Sequence, residues 1–392
     1  MTSPQFSRID TTRLRTGFGV KWGSVPVDTI GAWVADMDFG IPPAVREHIV
    51  ETSGRGDLGY PFWSGEDPVI AAFHDRMATR YGWAPSRGRT RIFTDLIQIL
   101  QVVIEHATAP GDAIALHVPT YPPFLASIAR SGRRIVPIPM RGDGAGWHFD
   151  TDGLAEVLRR QNCRMLLLVN PHNPTGRVFT RTELTALAAI AEELDLVVLS
   201  DEIHADLTYP PHTHIPFASL GDAVADRTVT ATSATKAFNI AAMRCAVAHV
   251  GARHVNASLD AAPLDYFGQP SILGRVATVA AWRHSDAWLD GLMACLAENR
   301  AMVTEWAHSL LGEMSFSPPQ AGYLAWFDLT DRPLGPEPAR YIDRFAKVRL
   351  SDGGEFSDGT DVDTSSFVRL NFATSADNLR EIVTRIGALY RA

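Results

Sequence analysis

Apolar residues in the middle of the chain alternate between short continuous runs and stretches with helical spacing. The runs predict β-strands at Ala113–Val118, Arg164–Val169, Leu196–Ser200, Thr228–Thr232 and Ala246–Val250. Several of them are nearly continuous in apolar residues, which is typical of strands covered on both faces. The pattern therefore predicts an α/β fold built on a largely parallel sheet.

Helices are predicted between these strands. The apolar residues from Leu96 to Ala107 recur at helical spacing, with Thr94 or Asp95 placed to cap the helix. The stretch from Thr180 to Leu194 is a second helix, and its Thr180 and Glu183 have the spacing of a capping box.

The pattern changes past about Pro270. It predicts a long helical stretch with a break near His284, two short strands, a loop rich in glycine and aspartate, and a final helix: Ser271 to Leu311, Tyr323–Leu329, Phe367–Phe372, Ser351 to Asp363 and Ala376 to Tyr390. We expect a small α+β domain at 281–392, a large domain at 41–280, and an N-terminal segment, 1–40, that joins the small domain.

Composition excludes several classes of protein. The 392 residues are 46% hydrophobic, which excludes disorder as the main state. The net charge of −8 gives no reason to expect nucleic acid or an anionic membrane as a partner. No long uncharged apolar run and no apolar signal core are present, and the three cysteines are widely spaced, so we expect a cytoplasmic protein with neither a membrane span nor a cysteine zinc site.

Lysine is rare in this chain. Of 36 basic residues only Lys21, Lys236 and Lys347 are lysine. Lysine can lose its proton and act as a nucleophile, whereas arginine stays protonated. A lysine that persists against this bias could serve such chemistry, although chance alone would also leave a few.

The surroundings of Lys236 favour a chemical role. Small hydroxyl residues precede it directly after a predicted strand, and Arg244 follows eight residues later. The carboxyl ends of strands are where α/β sheets bind ligands, and hydroxyl, amide and guanidinium groups bind phosphate. A lysine beside a phosphate site, without a Walker loop, suggests pyridoxal phosphate bound as a Schiff base. The alternative is a plain surface lysine after a strand.

Two further residues fit the same cofactor. Asp201 ends the apolar run from Leu196 and could pair with a protonated pyridine nitrogen. Asn173 lies in a tight loop with two Asn-Pro steps and could donate to a phenolic oxygen. Either residue alone would be unremarkable at the end of a strand.

The motifs together resemble the aspartate-aminotransferase family (fold type I) of pyridoxal-phosphate enzymes, and more narrowly the MalY/PatB group of cystathionine β-lyases. They span nearly the whole chain in the family's order: WVADMDF from Trp33, GYP from Gly59, NPHNPTG from Asn170, SDEIH from Ser200, SATK from Ser233, YLAW from Tyr323 and FVRLNFA from Phe367. The resemblance implies a large domain with a mostly parallel seven-stranded sheet flanked by helices, and a smaller α+β domain.

The resemblance also implies roles for single residues. Lys236 would bind the cofactor and later move the substrate α-proton, Asp201 would face the pyridine nitrogen, Asn173 would contact the phenolic oxygen, and Tyr121 would stack on the ring. The phosphate would be held by Ser233, Arg244 and the N–H groups of Leu96 and Ile97. Arg369 would bind the substrate α-carboxylate, with Ala35, Tyr121 and Asn173 beside it. His204 lies at the cofactor, and Tyr60 would reach into the active site of a second subunit of a homodimer.

Three features depart from the family pattern. Asp95 stands where many relatives have glycine, where it would either repel a phosphate or cap the helix and point away. His204 replaces the tyrosine of typical aminotransferases, which favours a lyase. The segment Lys347–Asp363 lacks the usual glycine-and-aromatic pattern, so the substrate is left open. His212 and His214 have the spacing of metal ligands, but a polar loop is the more common explanation, and no metal is expected.

The resemblance implies a carbon–sulfur β-lyase that cleaves a cysteine thioether to a thiol, pyruvate and ammonia. An aminotransferase with the same site is one alternative. Another is decarboxylation coupled to deamination of a cysteine S-conjugate, since the bond that breaks depends on small differences in the pocket. A cofactor-bound protein that chiefly binds a regulatory partner is a third.

Overall fold

The computed structural model describes residues 4–143, 146–263, 266–312, 316–330 and 332–390. The first three residues of the predicted N-terminal segment lie outside these ranges. The helices, numbered α1 to α15 in chain order, are Pro4–Ser7, Thr11–Thr16, Val20–Gly23, Pro43–Arg55, Pro68–Tyr81, Leu96–Ala107, Pro122–Arg130, Leu154–Arg160, Arg181–Glu193, Asp222–Ala225, Arg253–Asp260, Ile272–His284, Asp286–Leu311, Pro338–Ala346 and Ala376–Ala388.

The strands are numbered β1 to β14 in the same way. They are Ile30–Gly31, Thr90–Phe93, Ala113–Val118, Arg134–Pro139, Arg141–Gly142, Trp147–His148, Cys163–Val169, Val197–Asp201, Thr228–Thr232, Ala246–Val250, Leu324–Asp328, Val348–Arg349, Ser351–Asp352 and Phe367–Asn371. Short 3₁₀ helices occur at Ala205–Leu207, Phe217–Leu220, Ala241–Met243 and Gly353–Ser357.

A seven-stranded sheet forms the centre, in the order β2-β10-β9-β8-β7-β3-β4. Strands β9, β8, β7, β3 and β4 are mutually parallel, and β10 runs antiparallel to both β2 and β9. The predicted α/β class with a mostly parallel sheet of seven strands is confirmed. Two of its strands have no clear signal in the sequence: β2 carries a charged residue, Arg91, and β4 carries two prolines and lies at the edge.

Helices cover both faces of this sheet. On one face α6, α7 and α11 pack against alternate strand residues such as Leu116 and Leu167. On the other, α8 and α9 pack against the intervening residues, such as Ala115 and Leu166. The side chains of a strand point alternately to its two faces, so a strand covered on both sides is apolar throughout. This burial explains the continuous apolar runs.

The C-terminal part has its own antiparallel sheet, β11-β14-β13, with α13, α14 and α15 in the core around it. The predicted helix break is present, because α12 ends at His284 and α13 begins at Asp286. The segment from Ser351 to Asp363 was expected to be a loop throughout. That expectation is wrong at its start, where Ser351–Asp352 pairs with β14 and a 3₁₀ helix follows.

The N-terminal segment contacts the C-terminal part. Strand β1 pairs in parallel with β12, Ile30 opposite Val348. The domain limits themselves stay a prediction. None of the helices described has the length and apolarity that a membrane crossing requires.

Candidate active site

The carboxyl ends of the parallel strands meet at one edge of the central sheet. Strand β8 ends at Asp201 itself, and the loops after β3, β7 and β9 carry Tyr121, Asn173 and Lys236. Strand β10 runs the other way and begins at this edge, just after Arg244. Sheet topology therefore brings together residues that are more than 100 positions apart in the sequence.

These side chains surround a cavity of about 430 Å³. Every predicted site residue except Tyr60 lines it: Ala35, Leu96, Ile97, Tyr121, Asn173, Asp201, His204, Ser233, Lys236, Arg244 and Arg369. Tyr60 is fully exposed, in the connection between α4 and α5. Its predicted role concerns the site of a second subunit, so it stays a prediction.

Lys236 has only a quarter of its side chain exposed and contacts the N-terminal segment. Its Nζ donates to the carbonyl oxygen of Ala35 at 2.9 Å and lies 3.9 Å from Oδ1 of Asp36. Burial lowers the pKa of Lys236, and the nearby Asp36 carboxylate opposes this shift. An amine that loses its proton more readily is better suited to act as a nucleophile or a base.

Asp201 is buried at the end of β8. Its Oδ1 accepts a hydrogen bond from the Ile203 N–H at 3.0 Å. Burial raises the pKa of Asp201 to about 7, more than this hydrogen bond lowers it. A cation brought against this carboxylate would restore its ionised form. The carboxylate is thus suited to pair with a protonated ring nitrogen.

Arg369 and Asn173 bind each other at the opposite side of the cavity. Nη1 of Arg369 donates to Oδ1 of Asn173 at 2.9 Å, and Nη2 donates to the Trp33 carbonyl and the Ser351 hydroxyl, each at 3.1 Å. Because a guanidinium only donates, the amide oxygen of Asn173 faces it and the NH₂ group remains available as a donor. This orientation agrees with the predicted hydrogen bond from Asn173 to a phenolic oxygen.

Arg369 is suited to a carboxylate ligand. It is buried, its Nε has no hydrogen-bond partner, and burial lowers its pKa to about 10. The guanidinium lies over the ring of Phe356, 4.7 Å from its centre. A buried cation with an unpaired N–H gains most from a bound anion, and a planar guanidinium binds carboxylates in a bidentate fashion.

The N-terminus of α6 is a candidate phosphate site. Oδ1 of Asp95 caps the helix by accepting from the Gln98 N–H at 2.9 Å, and Oδ2 forms an ion pair with Arg244. Asp95 therefore caps the helix, but it does not point away from the cavity, which it lines together with Arg244. The first-turn N–H groups of Leu96 and Ile97 have no acceptor within the helix and lie at the cavity.

Ser233 and Arg244 are both already engaged in this structure. The Ser233 hydroxyl donates to the Cys245 carbonyl at 2.6 Å and accepts from the Thr235 N–H. Arg244 is bound to Asp95 and is mostly exposed. A phosphate would therefore share Arg244 with Asp95, and Ser233 would donate to it only after turning its hydroxyl away from Cys245.

His204 is buried beside the cavity and its Nδ1 has no hydrogen-bond partner. Burial lowers its pKa to about 3, so the ring is neutral at physiological pH. His214, considered above for metal binding, is instead paired with Glu202 at 3.0 Å in the core behind Asp201.

Sequence reasoning gave no role to Asp36 or Tyr323. The Asp36 carboxylate lies 3.9 Å from Nζ of Lys236, and the Tyr323 hydroxyl donates at 2.8 Å to the same Ala35 carbonyl that accepts from Lys236. Both residues lie in motifs quoted above, but Asp36 is 200 positions away from Lys236 in the chain. A short motif does not show which side chain it presents to a distant residue.

The groups around the cavity match the chemistry of pyridoxal phosphate. They supply an amine, a buried carboxylate, an amide donor and the start of a helix. The sequence profile of the class I and II aminotransferases matches residues 33–386. The chain belongs to the class I and II aminotransferase family.

Individual relatives show which group of the family this chain resembles. The chain is 33% identical to a putative cystathionine β-lyase of Mycobacterium tuberculosis, over 94% of this chain and 93% of the relative. It is 30% identical to the cystathionine β-lyase PatB of Bacillus subtilis, over 94% and 96%, and 29% identical to MalY of Escherichia coli, over 93% and 92%. The predicted resemblance to the MalY/PatB group is confirmed.

Solved structures similar to this chain have the same fold. OvoB matches with a TM-score of 0.89, 29% identity and 98% coverage of both chains. A pyridoxal-phosphate-bound C–S lyase from Staphylococcus hominis matches with a TM-score of 0.89, 27% identity and 98% coverage of both chains. The predicted fold type is confirmed, while the roles of the individual site residues stay predictions.

Proposed function

We propose that this chain is a pyridoxal-phosphate-dependent C–S β-lyase that acts on a cysteine thioether. The observation that carries the proposal is the single cavity where Lys236, Asp201 and Arg369 meet. The relatives named as cystathionine β-lyases support a lyase, because they match at 30–33% identity, more closely than an N-succinyldiaminopimelate aminotransferase at 28% over 89% of the chain.

Three side chains would divide the work. Arg369 binds the substrate α-carboxylate and so fixes the Cα–H bond relative to Lys236. Lys236 removes the α-proton as a free amine. Asp201 would keep the pyridine nitrogen of the cofactor protonated, and the bound cofactor would supply an electron sink for the charge that develops at Cα. A thiolate then leaves from Cβ. Thioether and water give thiol, pyruvate and ammonium.

A groove beside the cavity offers room for a large sulfur substituent. It measures about 980 Å³ and shares Ile97, Pro122, Pro123 and Glu355 with the cavity. Arg130 and Asp358 lie on its walls. The groove supports a substrate whose leaving group extends well beyond the sulfur.

We further infer that two copies assemble with shared sites. Tyr60 and its neighbour Phe62 expose nearly all of their surface, and Leu58 exposes about half of its own. Aromatic side chains so fully exposed in one short connection are typical of a surface that another molecule covers. In a pair of copies, this connection would complete the partner's cavity.

Release of thiol and pyruvate tests the proposal. The purified protein with pyridoxal phosphate is given a panel of cysteine thioethers, with and without an added keto acid. We expect equimolar thiol and pyruvate without the keto acid. A strict keto-acid requirement would instead establish an aminotransferase, and carbon dioxide release would establish a decarboxylation.

A further inference from the structure

The segment Trp33–Phe39, called the strap below, lines the cavity with its first three residues. Two asparagine side chains fix its backbone. Nδ2 of Asn371 donates to the carbonyls of Val34 and Asp36 at 2.6 and 2.7 Å. Asn239 accepts from the Met37 N–H at 3.0 Å and donates to the Phe39 carbonyl at 2.8 Å. The path of the strap is therefore held at both ends.

A buried ion pair supports the strap from the other side. Nζ of Lys21 lies 2.9 Å from Oδ1 of Asp38 and donates to the Asp36 carbonyl at 3.1 Å. The Trp22 indole donates to the same Asp38 oxygen at 2.6 Å. Breaking a buried pair leaves a charge without its partner, so this anchor is rigid.

The strap presents two oxygens to Lys236. The Ala35 carbonyl accepts from Nζ, and the Asp36 carboxylate lies 3.9 Å from the same nitrogen. About a third of the Asp36 side chain is exposed, so solvent reaches this carboxylate. The other charged or titratable groups near Lys236 are Asp201, Arg369, His204 and Tyr323, whose hydroxyl donates to the same Ala35 carbonyl.

We propose that Asp36 is a positioning residue for Lys236: with the Ala35 carbonyl it holds the free ammonium at the strap and sets the pH at which that ammonium loses its proton. The geometry separates two tasks. The carbonyl accepts from the nitrogen in either protonation state, whereas the carboxylate favours only the charged state. The ammonium formed when Lys236 takes a proton is thus held at the strap.

The catalytic consequence rests on the proposed function, but the protonation equilibrium does not. Asp36→Asn keeps the shape of the side chain and removes its charge. Burial then lowers the pKa of Lys236 with less opposition, because the nearby negative charge is gone. The variant is therefore expected to hold a neutral Lys236 at a lower pH than the parent chain.

The small number of lysines makes this measurable on the full chain without the cofactor. Reductive methylation with ¹³C-formaldehyde labels the lysines and the N-terminus, and NMR follows each methyl signal against pH. In Asp36→Asn the Lys236 signal should titrate at a lower pH than in the parent chain. Asp28→Asn is the matched control, since Asp28 lies 3.6 Å from the exposed Lys347, and it should leave Lys236 unchanged.

An unchanged Lys236 titration in Asp36→Asn, or an equal shift in Asp28→Asn, would overturn the proposal. A pH–rate profile of the loaded enzyme gives a second measurement. The acidic limb of kcat should move to lower pH in Asp36→Asn, whereas a merely structural role would lower kcat at every pH without moving the limb. If the protein cleaves no thioether, the proposed function fails while the NMR titration still decides the role of Asp36.

Discussion

Two lysines lie below the surface of this protein, and their surroundings differ in almost every respect. Lys21 exposes 4% of its side chain and faces the Asp38 carboxylate, which also accepts from Trp22. Lys236 exposes 24%, borders a cavity and has a backbone carbonyl as its nearest partner. Lys21 forms a buried ion pair, whereas Lys236 lies beside a cavity that a reactant could enter.

Two buried carboxylates, Asp38 and Asp201, differ in the same way. Asp38 has a lysine at 2.9 Å, while the nearest described hydrogen bond to the Asp201 carboxylate comes from a backbone N–H. Burial costs a charge least when a counter-charge is in contact. The rarity of lysine in this chain identifies candidates for a special role. Whether a lysine has a counter-charge in contact then distinguishes a structural role from a chemical one.

Replacing Lys236 should have the largest effect on activity. We expect Lys236→Ala to lower thiol release by at least about 10³-fold, because both the nucleophile and the base are lost. The melting temperature of the cofactor-free protein should change little, since the side chain borders a cavity. An assay of thiol release checks the loss of activity, and thermal unfolding checks the unchanged melting temperature. A variant that unfolds like a core mutant would contradict the distinction between the two lysines.

Replacing Lys21 should act on stability instead. Lys21→Met leaves Asp38 charged and buried, which is expected to lower the free energy of unfolding by about 3–5 kcal/mol. Urea unfolding of the cofactor-free protein measures this loss. The double variant Lys21→Met, Asp38→Leu should recover part of the loss, because no unpaired charge remains. A single variant as stable as the parent would show that the pair is not an anchor.

Asp201→Asn should stabilise the cofactor-free protein at alkaline pH. Burial raises the folded-state pKa of Asp201 to about 7, so its favourable contribution is complete only below the unfolded value near 3.8 and is lost as the pH rises through about 7. The variant should therefore gain on the order of 2–4 kcal/mol over the parent at pH 8 and almost nothing at pH 4.

The same substitution at Asp38 is the matched control for this experiment. Asp38→Asn removes the counter-charge of Lys21 and should destabilise the protein at pH 8. Urea midpoints at pH 4 and pH 8 compare the two variants. At pH 8 the two substitutions should change the free energy of unfolding in opposite directions. A change in the same direction would mean that the two carboxylates do not differ in the way described.

Lys347 should give the smallest effect. It is half exposed and lies 3.6 Å from Asp28 on the surface, where solvent screens the attraction. Lys347→Ala is expected to change the free energy of unfolding by less than about 1 kcal/mol and to leave thiol release unchanged. A loss as large as that for Lys21→Met would mean that Lys347, like Lys21, has a structural role.

Much of the fold could be predicted from apolar periodicity. Strands buried on both faces, such as Ala113–Val118, have a strong signal, and Thr180 with Glu183 does form the capping box expected of them. The edge strand Arg134–Pro139 was missed, because prolines and a charged start conceal a strand that pairs on only one side. Ser351–Asp352 was missed because its pairing with β14 is a long-range contact.

The candidate site was predictable where strand ends and motifs coincide, as at Asp201 and Lys236. The role proposed for Asp36 was not, since it depends on how Asn371 and Asn239 fix the strap against Lys236. The engagement of Ser233 with Cys245 was equally invisible, because it depends on the relative position of two neighbouring strands.

Chemical rescue of Lys236→Ala is the most direct test of the central claim. Ethylamine added to the loaded variant should restore thiol and pyruvate release in proportion to its concentration, because a small amine can take the position of the missing side chain in the cavity. Lys21→Met should show no such response. Release of both products by Lys236→Ala at the parent rate, without any added amine, would contradict the account.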